Sequence, residues 1–373
     1  MKLSQDMKKN VLILTTFYKP FIGGAEVFVE EITKRLNKDF NFFIFTTKNL
    51  KNLPRKEIID NTVIYRLGFG SKYDKFFFPF LALIKSYSVN FDFSYAIMAS
   101  YAGAAALLIK FFRRKEYILN MQSGTLDTKN YLKILKLFWF FYKKIHTEAL
   151  FIHVISNALK ERAIKFGVPI NKIFLIPNGI DLSNFKVLSL NRNYWQMISV
   201  ANLKKVKGLE YLLRAMPIIT TKFPQVKLLL VGDGEERIFL ENLVNDLKIE
   251  NHVQFLGTIC RDKIPDILNH SNIFIGPSLA EGLGIAFLEA MACGAIVIGT
   301  KVGGICDIIK NHYNGLLIEP ANYMEIANSV LYLLENKTVL ESLRSNALKF
   351  VKEYDWNIIS FSIKSLLEKY EKS

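Results

Sequence analysis

What most restricts the folds open to this chain is a series of short apolar runs, spaced by segments of helical periodicity along almost its whole length. In the first half the runs are VLILTTF (11–17), NFFIFTT (41–47), TVIYRL (62–67), SYAIMAS (94–100), YILNMQ (117–122), FIHVIS (151–156) and KIFLIPNG (172–179). In the second half they are WQMISVAN (195–202), KLLLVGDG (227–234), HVQFLG (252–257), NIFIGPS (272–278), AIVIGT (295–300) and GLLIEP (315–320). Runs this short, with few polar interruptions, suit parallel strands covered by helices on both faces. Their alternation with helices in two blocks predicts an α/β chain with two doubly wound, Rossmann-like domains.

At 373 residues the chain is long for one core. The break falls in DLSNFKVLSLNRN (181–193), which is polar and aperiodic. The expected domains are therefore 1–185 and 186–355, followed by an amphipathic helix at 356–373 that begins with Trp356. A hinge of this kind places a cleft between two sheets, at the carboxyl ends of their strands, where such architectures bind ligands.

Composition excludes several classes. The three cysteines (260, 293, 306) include no C-x-x-C pair, and the five histidines show no metal-ligand spacing. No disulfide framework, metal site or cofactor follows, and the expected compartment is the reducing cytoplasm. The N-terminal MKLSQDMKKN-VLILTTF mimics a secretory signal, but its apolar part spans only seven residues and lacks a small-x-small cleavage site. It reads as a first buried strand. The longest uncharged stretch, 93–109, is mixed in character and reads as a strand followed by a helix rather than a membrane span.

Charge is unevenly distributed. Residues 1–185 carry 28 Lys+Arg against 14 Asp+Glu, a net of +14, while residues 186–373 carry 21 against 20. The first half also holds 23 of the 30 phenylalanines. Two of its segments, KYDKFFFPFLALIK (72–85) and YLKILKLFWFFYKKIHT (131–147), are basic and aromatic, and in the second Lys133, Lys136, Lys143 and Lys144 share a helical face. Such helices suit either an anionic membrane interface, including the inner face of the cell membrane, or a sheet-covering position with solvated lysines. No nucleic-acid-binding module is present.

The densest chemical signal is SLAEGLGIAFLEAMACG (278–294). A strand ends at Pro277-Ser278, a glycine-rich turn follows, and a helix is predicted from Ile285 until Gly294 stops it. The free N–H groups of Gly284 and Ile285 at the helix start suit a diphosphate. Glu281 lies in the loop and Glu289 about one turn inside the helix, where a carboxylate without donors would be costly. A ribose diol supplies two donors. The plainer alternative is a loop glutamate and a helix glutamate with no ligand.

This segment resembles the donor-site signature of the retaining glycosyltransferases of family 4 (glycosyl transferases group 1), enzymes of the GT-B fold. The resemblance extends over nearly the whole chain. FYKPFIGGAE (17–26) is similar to the family's N-terminal glycine loop, and IPNGIDLSNF (176–185) to the segment leading into the hinge. LKKVKGLEYLLRA (203–215) resembles the basic donor motif, KVGGICDII (301–309) the next glycine turn, and the Trp356 helix the tail that crosses back to the first domain. The resemblance implies an interdomain cleft, with the first domain on the acceptor side and the second holding the donor. Donor contacts would come from Gly23, Gly24, Asn202, Lys207, Glu281, Gly284, Ile285 and Glu289, with Lys207 and Glu281 as the catalytic pair. Lys207 would hold the diphosphate as the leaving group gains charge.

Two positions depart from the family pattern. Asn202 stands where an arginine is usual, and Gln122 where many relatives have a histidine near the donor sugar. Glutamine can bind a hydroxyl but cannot shuttle a proton. His153, in an apolar strand, reads as a core residue. The implied activity is transfer of a sugar, with retention, from a UDP- or GDP-linked donor to a hydroxyl of a glycan or lipid-linked acceptor, in cell-surface polysaccharide or glycolipid synthesis. The alternatives are a nucleotide-sugar 2-epimerase and a non-catalytic glycan- or lipid-binding scaffold of the same fold.

Overall fold

The computed structural model describes residues 8–21, 23–122, 139–188 and 192–372. Its contacts divide the chain into two compact units, Met1–Pro177 with Asn357–Ser373, and Asn178–Trp356. The stretch 178–185, assigned from sequence to the first domain, lies in the second unit. Ile180 N–H donates to Tyr354 O (2.8 Å), Trp356 N–H donates to Ile180 O (3.1 Å), and the fully buried Trp356 ring lies against Gly179.

The first unit is built on an eight-stranded sheet. Its strands are β1 (Lys9–Leu14), β2 (Phe40–Thr47), β3 (Lys56–Ile59), β4 (Thr62–Leu67), β5 (Phe93–Ile97), β6 (Tyr117–Met121), β7 (Phe151–Val154) and β8 (Ile173–Leu175). They lie in the order β3-β4-β2-β1-β5-β6-β7-β8. Central β1 pairs in parallel with β2 (Leu12 opposite Phe43) and with β5 (Leu12 opposite Ser94). Val11, Leu12, Ile13 and Leu14 are all fully buried. That is why this run has no alternation: both faces are covered, and each such side chain is worth about 1.5–3 kcal/mol of burial. Every pairing in the sheet is parallel except β3 with β4, which is antiparallel. Strand β3 (KEII) was not anticipated; as an edge strand with alternating exposure it lacks the apolar run that marks the others.

Helices α1 (Gly24–Arg35), α2 (Asp74–Ser86), α3 (Tyr101–Arg113), α4 (139–147) and α5 (Asn157–Lys165) connect these strands. The uncharged stretch 93–109 is β5 followed by most of α3. Of the second basic helix read from sequence, Lys133 and Lys136 lie outside the described residues, while Lys143 and Lys144 are on α4. No helix among the described residues is long and apolar enough to cross a membrane.

The second unit has a six-stranded sheet of β9 (Asn193–Val200), β10 (Lys227–Val231), β11 (Val253–Gly257), β12 (Ser271–Gly276), β13 (Ile296–Thr300) and β14 (Leu316–Ile318). The order β11-β10-β9-β12-β13-β14 is wholly parallel. This is the doubly wound 3-2-1-4-5-6 arrangement, whose switch point lies between β9 and β12. Helices α6 (Leu209–Lys222), α7 (Arg237–Asp246), α8 (Ile264–His270), α9 (Ile285–Ala292), α10 (Ile305–Ile308), α11 (Tyr323–Glu335) and α12 (Lys337–Phe350) cover it. Beneath them lies an aliphatic core that includes Leu212, Leu213, Ile219, Leu228, Ile273, Ile298 and Val330. The final helix, α13 (Trp356–Glu368), belongs to the first unit from Asn357 onward. There Lys364 pairs with Asp39 at 2.6 Å, and Tyr370, just past the helix, packs on Phe93.

Candidate functional site

Three backbone segments of the second unit lock together at the carboxyl ends of β9, β12 and β13. The loop after β12 is held by Thr300, whose hydroxyl donates to Ser278 O (2.5 Å), and by Leu279 N–H, which donates to Val206 O (2.7 Å). Gly208, at φ +62°, presses on the same loop; a Cβ there would stand 2.2 Å from Pro277 O. Gly303, at φ +51°, does so from the other side, where a Cβ would lie 1.9 Å from Glu281 O. Only glycine combines a left-handed conformation with approaches this close.

The interlock aims Glu281. Its Oε2 accepts from Lys207 Nζ at 2.5 Å, and its Oε1 accepts from the N–H of Gly282 at 3.1 Å. Both side chains are largely enclosed, with 25% of Lys207 and 19% of Glu281 exposed. Gly284 caps α9, and Ile285 opens it. The helix N-terminus, with its unfilled N–H groups and positive dipole end, therefore lies three residues from a carboxylate already tied to an ammonium. This constellation can take up an anion at the helix start while keeping an acceptor for hydroxyls beside it.

Glu289 sits on the fifth residue of α9, with 14% of its side chain exposed. Burial raises its pKa above the usual carboxylate value, and Arg261 opposes this from 3.5 Å. Arg261, just after Cys260, also lies 6.0 Å from the centre of the Phe185 ring. It had no motif in the sequence to mark it; a C-R-D triplet after a strand carries no signal by itself. Asn202 is exposed, and its carbonyl accepts from Lys204 N–H at 2.8 Å.

The other expected residues belong to the first unit. Gly23 is the N-cap of α1, and Gly24 begins that helix. Glu26 was not anticipated there: its carboxylate turns back on Gly23, where a Cβ would lie 2.5 Å from Oε2. Burial raises the Glu26 pKa, and hydrogen bonds from its own N–H and that of Gly23 lower it in part. Gln122 is buried directly after β6. His153 is fully buried. One ring nitrogen, Nε2, is 2.7 Å from Ile176 O, so it carries the proton, and Nδ1 accepts from the Tyr95 hydroxyl at 2.5 Å. Asn120 Nδ2 is a further 2.7 Å neighbour of Nδ1. Burial lowers the imidazole pKa to about 4, so the ring is a neutral core residue.

The family described as "Glycosyl transferases group 1" matches residues 182–350, and "Glycosyltransferase Family 4" matches residues 22–184. The chain is a family 4 glycosyltransferase. The transferase is 27% identical to an uncharacterised glycosyltransferase of Methanocaldococcus jannaschii, over 96% of this chain and 97% of that one. It is 32% identical to the UDP-Gal:alpha-D-GlcNAc-diphosphoundecaprenol alpha-1,3-galactosyltransferase of Escherichia coli, over 53% of this chain and 54% of that one. Its fold matches that of a sucrose-phosphate synthase from Thermosynechococcus elongatus with a TM-score of 0.86 and 21% identity, covering 98% and 100% of the two chains. The transferase thus has the GT-B fold, built from two parallel-sheet α/β units.

Proposed function

We propose that this transferase moves a sugar, with retention at the anomeric carbon, from a UDP- or GDP-linked donor to a hydroxyl of a glycan or lipid-linked acceptor. The observation that carries the reading is the Lys207–Glu281 pair at the start of α9, with Glu289 enclosed one turn further on. The α9 N-terminus and Lys207 take the diphosphate, Glu289 the ribose hydroxyls, and Glu281 the hydroxyls of the donor sugar.

In the reaction the bond from the anomeric carbon to the phosphate oxygen breaks, and the nucleoside diphosphate departs with its electron pair. The acceptor oxygen bonds the anomeric carbon from the same face, and its proton passes to the leaving phosphate oxygen. Lys207 and the helix N–H groups stabilise the charge that develops on that phosphate. On this reading neither a metal nor a protein nucleophile has a part. The first unit serves the acceptor; Gly23 and Gly24 are candidate contacts to the donor phosphates, and Gln122 is a candidate contact to the acceptor or the donor sugar.

The Escherichia coli relative, whose name describes a UDP-linked donor and a lipid diphosphate acceptor, supports both halves of this proposal. So does the +14 of residues 1–185, which favours work beside an anionic surface in polysaccharide or glycolipid synthesis. The test supplies UDP- and GDP-sugars with polyprenyl-diphosphate-linked acceptors and follows the product by NMR. A product that keeps the donor's anomeric configuration is expected, and inversion would refute retention. Free nucleotide with an epimerised sugar, formed without acceptor, would favour the epimerase instead.

A further inference from the structure

Helix α2 keeps most of its aromatic side chains on its exposed side. Its buried residues are Asp74, Phe78, Pro79, Ala82 and Ser86. The stripe facing away is Tyr73, Phe76, Phe77, Phe80, Ile84 and Tyr87, each between 52% and 70% exposed. A helix that merely covers a sheet shows the opposite pattern, with its aromatic residues inward and its polar residues out. Here the apolar stripe runs the length of the helix, far beyond the scattered exposed side chains normal on a surface.

The surroundings of the stripe are cationic. Lys72 and Lys75 lie 5.3 Å from the ring centres of Tyr73 and Phe76. Helix α2 packs on α3, where the Phe76 and Tyr101 rings meet edge to face at 5.4 Å. At the far end of α3 the Lys144 ammonium of α4 is 5.7 Å from the exposed Phe111 ring and 4.9 Å from the exposed Phe140 ring. Between residues 61 and 115 there are eight Lys+Arg and two Asp+Glu. Both acids are occupied: Asp74 accepts from the N–H groups of Phe69, Gly70 and Ser71, and Asp92 from that of Asn10.

From this juxtaposition we infer that the outward stripe of α2, with the exposed aromatic residues of α3 and α4, is a docking face for an anionic lipid surface. The rings enter the headgroup boundary while the lysines pair with lipid phosphates, the arrangement of an interfacial amphipathic helix. A second copy of this chain is a poor occupant, because its own stripe would bring the same excess of cations against this one. The inference deepens the lipid-linked acceptor reading and rests on it for its purpose, since docking there would hold the first unit at the surface that presents such an acceptor.

The test is sedimentation of the full chain with vesicles of phosphatidylcholine, with and without phosphatidylglycerol. Wild type is expected to bind only the anionic vesicles and to be released by high salt. The triple variant Phe77→Ser/Phe80→Ser/Ile84→Ser changes only exposed side chains and is expected to lose at least about tenfold in partition. Lys72→Gln and Lys75→Gln, which leave the apolar stripe intact, are each expected to cost about fivefold. Failure of wild type to bind anionic vesicles, or binding by the triple variant equal to wild type, would overturn the inference. So would a wild-type dimer in sedimentation that the triple variant converts to monomer, since the stripe would then be a self-contact. UDP and GDP titrated into the same preparations read the donor site separately, so its failure would be visible whatever the vesicles show.

Discussion

Replacing Glu289 with glutamine should have opposite effects on nucleotide binding and on stability. The side chain is nearly enclosed, and burial raises its pKa despite Arg261 at 3.5 Å. The free protein therefore carries a carboxylate that would rather be protonated. In the pH window from the ordinary carboxylate pKa up to the raised one, the native state holds more protons than the unfolded state, so wild-type stability falls as pH rises. Glutamine keeps the shape, removes the charge and removes that slope; Arg261, about one-third exposed, remains solvated. Glu289→Gln should thus melt higher than wild type at neutral pH. With nucleotide present the sign reverses. A carboxylate receiving ribose hydroxyls makes charge-assisted hydrogen bonds, and loss of the charge should cost about 1.5–3 kcal/mol, roughly a 10- to 150-fold weaker Kd. Calorimetric titration of UDP and GDP, with thermal melts from acid to neutral pH, reads both effects. A variant that melts lower yet binds nucleotide as wild type does would show that Glu289 serves Arg261 and the fold, and the ribose assignment would fail.

Three further outcomes are expected. Gly303→Ala should lower stability by at least about 2 kcal/mol, since a left-handed alanine is strained and its Cβ would meet Glu281 O; unchanged melting and nucleotide affinity would contradict the interlock. Lys207→Ala should reduce transfer by about 100- to 1,000-fold in kcat while leaving the fold intact, and a loss confined to KM would assign Lys207 to ground-state binding alone. The third concerns acid. His153, with its pKa lowered from 6.5 to about 4, is neutral in the fold but takes up a proton sooner when unfolded. Its contribution is complete above 6.5 and is lost as pH falls towards 4, on the order of 3 kcal/mol in all. His146, lowered to about 4 by burial in the same way, adds to the slope, so His153→Gln should weaken the acid dependence without abolishing it. An unchanged slope would count against this.

The parts of the fold legible in the sequence were those whose residues meet only one environment. Val11–Leu14 and Ile296–Thr300 are covered on both faces, and their unbroken apolar runs declare it. Helix α9 was legible because Gly284 and Gly294 bracket it. Strand β3 was missed because an edge strand in Lys-Glu-Ile-Ile keeps half its side chains in water. For α2, composition marked a basic, aromatic segment but not which residues it buries; Ala82 and Ser86 pack inward while Phe80 and Ile84 face out. At the site, spacing marked Glu281 and Glu289 but said nothing of Arg261, because its proximity to Glu289 is created by the fold rather than by any motif. The Gly303–Glu281 contact is equally non-local, joining residues that follow two different strands.

On the proposed function, the second unit holds a nucleotide diphosphate sugar through Lys207 and the start of α9. The most direct measurement is a titration of UDP and GDP into the full chain in the presence of EDTA, repeated with Lys207→Ala. Saturable binding of one nucleotide to wild type, insensitive to EDTA and weakened at least about tenfold in the variant, is the predicted result. Equal affinity in both proteins, or no binding of either nucleotide, would contradict it.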